Sequence, residues 1–165
     1  MTRSPRLPRS CLSANLTPAD PAQSGERLSS PRLSPDGPPK ADLFVTCIID
    51  QLYPQVGVSV VRVLRRLGVD LSFQEDQTCC GQPAFNSGFT KEARSVAAAF
   101  MDHFANSDVV VVPSGSCCAM VKVFCPELFK DSPQFTQVEE VAGKTWEFSD
   151  FLVTRLQVLD VKAQF

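Results

Sequence analysis

Two patterns of apolar residues alternate along the chain from residue 41 onward, one typical of buried strands and one of amphipathic helices. Short apolar runs predict strands at 43–48, 69–73 and 108–112. Apolar positions at helical spacing predict helices at about 56–67, 90–105 and 137–153, with a shorter helix starting near Cys117. Strands that alternate with helices imply a parallel sheet with right-handed crossovers. We therefore predict an α/β fold, a three-layer Rossmann-like open parallel sheet with flanking helices.

The first 40 residues lack this periodicity. They hold eight of the 13 prolines and seven serines, and such a segment buries too little apolar surface to offset its conformational entropy. We predict a disordered Pro/Ser-rich leader over 1–40 and one domain over 41–165. A chain of 165 residues has room for a single domain of ordinary size.

Charge and hydropathy narrow the choice of partners. The formal net charge is −2, from 16 basic and 18 acidic residues. This balance gives no reason to expect nucleic acid or an anionic membrane as a partner. No apolar stretch approaches the ~18 residues that a membrane-spanning helix needs, so we expect no membrane span.

The cysteines are the most informative residues of this chain. There are seven, and four of them form the adjacent pairs Cys79-Cys80 and Cys117-Cys118. Neighbouring cysteines on a trans peptide bridge each other poorly, and the chain does not open with a signal-peptide pattern. We therefore expect thiols that work as metal ligands or redox groups in a reducing compartment, the cytoplasm.

The predicted fold brings three of the cysteine groups to one edge. Cys47 stands at the end of the first predicted strand, Cys79 and Cys80 follow the second, and Cys117 follows the third. Ligands of an open parallel sheet bind at the carboxyl ends of its strands. Cys47, Cys79, Cys80 and Cys117 are therefore our candidate metal ligands, enough for an iron–sulfur cluster or a zinc ion.

The flanking loop residues suit such a site. The segment Ser114-Gly115-Ser116 precedes a helix start, where backbone N–H groups lower a thiol's pKa and bond to cluster sulfur. Gly81 permits a backbone turn after the cysteine pair, and Gln82 offers a further hydrogen-bond donor. We leave the role of Cys118 undecided, because the adjacent Cys117 already supplies a ligand at this point of the chain and a buried cysteine is commonly a packing residue.

The cysteine pattern resembles a known family. Cys47, 31 residues, Cys79-Cys80-Gly81, 35 residues and Cys117 match the spacing of the CCG-type cysteine-rich domain. That domain occurs in heterodisulfide reductase, in the iron–sulfur subunit of glycolate oxidase and in the lactate utilization protein A family. Segments 43–47, 79–88, 113–117 and 144–153 closely resemble the lactate utilization protein A family.

The resemblance implies a function as well as a fold. It implies an iron–sulfur cluster, [4Fe–4S], in an electron carrier that works with the other subunits of a complex oxidising L-lactate to pyruvate. No catalytic residue is predicted, because no base, flavin motif or carboxylate clamp is visible. We therefore expect the substrate chemistry to take place on a partner.

The chain departs from the family pattern in two ways. The full motif ends Cys-x-x-Cys, whereas Met120 stands at its last position here. The family also carries two cysteine-rich domains in tandem, and this chain has one. We therefore expect self-association or a separate second cysteine-rich half, and the apolar run at 152–165 is the surface expected to bind it.

Two other interpretations of the cysteines remain open. The four cysteines suit a zinc or structural-metal module that organises a partner-binding surface. A metal-free truncated fragment or a thiol redox domain would use the same residues without any metal.

Overall fold

A parallel four-stranded sheet forms the centre of the computed structural model, which describes residues 38–163. The strand order is β2-β1-β3-β4, and every neighbouring pair is parallel. The strands are β1 (Lys40–Leu43), β2 (Asp70–Ser72), β3 (Val110–Val112) and β4 (Thr145–Glu147). The predicted α/β fold with an open parallel sheet is confirmed.

Helices connect the strands and cover both faces of the sheet. They are α1 (Cys47–Leu52), α2 (Pro54–Arg66), α3 (Gln82–Asn86), α4 (Thr90–His103), α5 (Gly115–Ala119), α6 (Cys125–Phe129), α7 (Phe135–Lys144) and α8 (Phe148–Asp150). Two π-helical turns, Met120–Phe124 and Phe151–Arg155, continue α5 and α8. Helix α2 shows why the chain folds this way: Pro54 suits its first turn, and Val60, Val61 and Leu64 bury one side.

Side chains alternate between two cores along strand β3 and along β1 with the residue that follows it. Phe44 and Val110 enter one core with helix α4, whereas Leu43 and Val111 enter the other with helix α2. This alternation follows from the two-residue period of a strand. Both faces of the sheet are thus covered, which explains the continuous apolar runs in the sequence.

The structure corrects two boundaries. Strand β1 ends at Leu43, so Cys47 opens helix α1 instead of closing the first strand. The predicted helix at 137–153 was wrong over its middle, because Thr145–Glu147 forms strand β4 beside β3. The Thr145 hydroxyl donates to the Val141 carbonyl (2.7 Å) at the end of α7, and the chain then turns into the sheet.

The prediction that the apolar run at 152–165 forms an exposed binding surface is partly wrong. Leu152 and Leu156 are buried in the chain's own second core instead of forming an exposed surface, while Val153 and Leu159 are exposed. The predicted leader lies almost wholly outside the described residues. Across residues 38–163, none of the helices has the length and apolar character that crossing a bilayer demands.

Candidate metal centre

Three loops at the carboxyl edge of the sheet carry the candidate thiols. Cys47 begins α1, just past β1, and Cys79 and Cys80 close the loop that follows β2. Cys117 lies in α5, directly past β3. Cys47 and Cys79 are partly exposed, whereas Cys80 and Cys117 are buried, so the group has one side toward solvent.

The four thiols lie close together. The sulfurs of Cys47 and Cys79 lie 3.8 Å apart, at hydrogen-bonding distance for two thiols. Cys80 lies near enough to Cys79 and to Cys117 to shift the pKa of both, and it lines one cavity together with Cys47 and Cys117. The structure therefore brings together all four residues that the sequence placed at this edge, while their role as ligands remains a prediction.

The four thiols fall into two groups, two with a lowered pKa and two with a raised pKa. The pKa of Cys79 is lowered to about 5 and that of Cys117 to about 6, in each case chiefly by the neighbouring Cys80 thiol and against the effect of burial. Cys117, and next Cys79, raises the pKa of Cys80. Burial, and next the charge on Cys79, raises the pKa of Cys47. Without metal, the centre at neutral pH holds two thiolates and two thiols.

Gly81 fixes the path of the chain after the cysteine pair. Its φ is +88°, and a Cβ placed on it would lie 2.9 Å from the backbone oxygen of Ala93 in α4. Both the left-handed backbone and the close approach therefore require glycine. The turn leads into α3, whose first residue, Gln82, donates a 2.9 Å hydrogen bond to the Ser116 carbonyl.

The loop before Cys117 contributes polar groups. The hydroxyls of Ser114 and Ser116 lie 3.4 Å apart, and both lower the pKa of Cys117 by hydrogen bonding to its side chain. Gly115 begins α5, and open space surrounds the position of its missing Cβ. The two serines thus act on the thiol, whereas nothing in the described chain requires glycine at 115.

Two cavities open beside the thiols. One of about 190 Å³ is lined by Cys47, Cys80 and Cys117. It is far larger than the ~10–15 Å³ that one water molecule requires. The other, of about 280 Å³, is lined by Cys47 and Cys79 and by the acidic residues Asp50, Glu75 and Asp76.

The remaining sulfur-bearing side chains of the domain belong to the core. Cys118 is buried, and burial raises its pKa. Cys125 has no exposed surface, and burial raises its pKa to about 12. Met120, at the position where the family motif has a further cysteine, is fully buried in the core that includes Cys80 and Cys117.

The donor set suits a thiophilic metal group. Soft thiolates prefer zinc, copper(I) and iron–sulfur clusters, and the two low pKa values provide thiolates at neutral pH. Among residues 38–163, no three His, Cys, Asp or Glu side chains already converge as a ready-made single-ion site. Binding would therefore require the thiols to adjust and to release the protons that Cys47 and Cys80 hold.

Sequence reasoning missed one polar residue of the centre. Gln77 is 8% exposed, and its side-chain amide bonds to the backbone at Leu43, Val45 and Gln74. The only signal in the sequence is a glutamine two positions before the cysteine pair. That does not distinguish a buried amide from an ordinary loop residue.

A parallel sheet with four thiols at its carboxyl edge defines a cysteine-rich α/β domain. The family model described as the CCG cysteine-rich domain matches residues 41–122, and over these residues the chain belongs to that family. No solved structure matches the chain.

Several curated proteins are similar to the chain. Lactate utilization protein A of Geobacillus thermodenitrificans (strain NG80-2) is 48% identical over 125 residues, or 75% of this chain and 52% of the relative. The protein of that name from Bacillus pumilus (strain SAFR-032) is 50% identical over 125 residues, with the same coverage of both chains. Lactate utilization protein A 2 of Bacillus cereus (strain AH820) is 44% identical over 126 residues, or 76% of this chain and 52% of the relative. The chain thus spans about half the length of these relatives.

Proposed function

We propose that the domain binds an iron–sulfur cluster through Cys47, Cys79, Cys80 and Cys117 and acts as an electron carrier. The single observation that carries this proposal is the grouping of four thiols at the carboxyl edge of the sheet, where the Cys47 and Cys79 sulfurs lie 3.8 Å apart and Cys47 shares a cavity with Cys80 and Cys117. When bound, such a cluster supplies one-electron transfer. We propose the [4Fe–4S] type because the family resemblance implies it, and four cysteines are the ligand number that such a cluster needs.

The chain's own residues define what the centre offers. Cys79 and Cys117 are the first ligands, because their low pKa values make them thiolates at neutral pH. Cys80 and Cys47 lose their protons on binding. Ser114 and Ser116 then donate hydrogen bonds toward the Cys117 sulfur, which tunes a sulfur-ligated centre. Cys80 and Cys117 face the core, so solvent reaches the centre mainly past Cys47 and Cys79.

We further propose that the electrons come from the oxidation of lactate. The relatives named lactate utilization protein A support this role, because oxidation of L-lactate to pyruvate releases two electrons that a carrier must remove. The proposed location is the cytoplasm, where thiols remain reduced. The proposed partners are the other subunits of a lactate utilization complex.

A second cysteine-rich half is the further partner that we propose, either on a separate polypeptide or on a second copy of this chain. Helix α1 begins at Cys47 and exposes large apolar side chains beside the thiols, with Ile48 at 60% and Leu52 at 66% exposure. Exposed apolar surface of this kind drives association. Light scattering coupled to size exclusion, with and without a co-expressed second half, tests this partner.

The proposal is tested by anaerobic reconstitution with iron and sulfide. We expect a brown protein with broad absorption near the visible–ultraviolet boundary that dithionite bleaches, containing iron and acid-labile sulfide in equal amounts. A colourless protein that takes up neither iron nor sulfide under these conditions would contradict it.

Zinc is the second candidate, and one distance favours it. A tetrahedral zinc ion with Zn–S bonds of ~2.3 Å holds its sulfurs ~3.8 Å apart. The sulfurs of Cys47 and Cys79 are separated by 3.8 Å. One equivalent of zinc that survives competition with iron and sulfide would therefore assign the centre a structural role in a partner-binding module.

A further inference from the structure

Gln77 occupies the position that the next residue of a β-strand would take. Strand β2 pairs with β1 up to Ser72, which lies opposite Asp42, and the backbone then turns away. Beyond this point, the Leu43 carbonyl and the Val45 N–H of the β1 segment would be left without a strand partner on the β2 side.

The side-chain amide of Gln77 bonds to both groups. Its Oε1 accepts from the Val45 N–H at 2.7 Å, and its Nε2 donates to the Leu43 carbonyl at 3.1 Å. In a parallel ladder, one residue bonds to the two residues that flank its partner. Gln77 reproduces that pattern around Phe44 with a side chain, and it therefore adds one rung to the β1–β2 pairing.

A third hydrogen bond holds the Gln77 amide to the turn that precedes it. Nε2 also donates to the Gln74 carbonyl at 2.8 Å, so the turn that carries Gln77 is bonded to the same group. Gln77 is 8% exposed, and both amide protons as well as the oxygen have partners. No other neutral side chain of this length supplies two donors and an acceptor at its end.

The register of these bonds bears directly on the thiols. Val45 stands two residues before Cys47, and Gln77 stands two residues before Cys79. The Gln77 amide therefore joins the two chain segments two residues before their cysteines, whose sulfurs lie 3.8 Å apart. We propose that Gln77 is a positioning residue that holds Cys47 and Cys79 together as a preformed pair before any metal binds.

This inference deepens the proposed function, since the pair is half of the proposed ligand set, but it is tested without metal. A bifunctional bromobimane reports two neighbouring thiols by becoming fluorescent when it bridges them. Trypsin places Cys47 alone in peptide 41–62, and Cys79 with Cys80 in peptide 67–91. Mass spectrometry of the bridged peptides therefore measures the formation of this link in the metal-free full chain.

The informative variants are Gln77→Met and Gln77→Glu. Methionine keeps the length of the side chain without its hydrogen bonds, and glutamate keeps an acceptor but loses both donors. We expect each to slow the 41–62 to 67–91 link about fivefold or more, as the loss of a net buried hydrogen bond would. Gln51→Met is the matched control, because Gln51 is exposed in α1 and its amide contacts Asp50. It should leave the rate unchanged.

A folded Gln77→Met variant that forms the link at the wild-type rate would overturn the inference. If both variants fail to fold, hydrogen exchange in the wild-type chain decides. We expect the side-chain amide protons of Gln77 and the Val45 N–H to exchange far more slowly than the side-chain amide of Gln51, and equal rates would overturn it. Failure to bind iron would reject the proposed function and leave both of these measurements unaffected.

Discussion

Replacing Gly81 with alanine tests how tightly helix α4 and the cysteine loop are packed. The backbone at Gly81 is left-handed, and that conformation costs an L-residue roughly 1–2 kcal/mol. The added Cβ would lie 2.9 Å from the Ala93 carbonyl oxygen, which belongs to the helix backbone and cannot rotate away. Shifting the backbone to relieve such a contact costs a further ~1–3 kcal/mol. We therefore expect Gly81→Ala to lower the free energy of unfolding by ~2–5 kcal/mol.

Gly68→Ala is the matched control for this prediction. Gly68 has a φ of +80°, close to the +88° of Gly81, but no atom lies within 4 Å of its missing Cβ. It should lose only the conformational part, ~1–2 kcal/mol. Urea unfolding of the metal-free chain measures both variants. Equal losses for the two glycines would refute the claim that α4 presses on the cysteine loop.

Two further predictions concern the thiols of the metal-free chain. Alkylation of Cys117 by iodoacetamide should persist down to about pH 6, where its thiolate protonates. Cys80→Ala should raise the pKa of Cys117 toward the ordinary value of 9.0 and so slow its alkylation at pH 7. An unchanged pH profile, read from tryptic peptide 95–122, would show that Cys80 does not hold the thiolate. Gln82→Met removes the bond to the Ser116 carbonyl, so it should slow the bromobimane link between peptides 67–91 and 95–122 about fivefold. The link between peptides 41–62 and 67–91 should keep its rate, and loss of both links would instead indicate general unfolding.

The convergence of the cysteines was accessible from sequence for a simple reason. Cys47, Cys79 and Cys117 each follow an apolar run that predicts a buried strand, and the carboxyl ends of parallel strands lie at one edge of the sheet. No knowledge of side-chain contacts was needed for this step. The exact end of β1 was less accessible, because Phe44 and Val45 beyond the strand are buried, as Leu43 within it is.

Features that depend on a distant partner were not accessible. Strand β4 has only three residues, and Trp146 becomes a strand residue because it lies opposite Val111 of β3. The apolar residues on both sides of β4 recur at helical spacing, so the sequence pattern does not indicate a strand there. Gln77 is similar, since a loop glutamine is normally solvated and only the fold shows that it bonds to the β1 segment 32 residues earlier. The pKa shifts centred on Cys80 likewise appear only once the loops have met.

The most direct test of the central claim changes the cysteines one at a time and counts iron and acid-labile sulfide after anaerobic reconstitution. Serine keeps the shape of cysteine but is a hard, poorly ionised ligand. We expect serine at position 47, 79, 80 or 117 to abolish or strongly reduce cluster binding, and Cys118→Ser and Cys125→Ser to retain the wild-type content. Loss of iron from the Cys125→Ser variant, with full retention in the Cys80→Ser variant, would contradict the proposed centre.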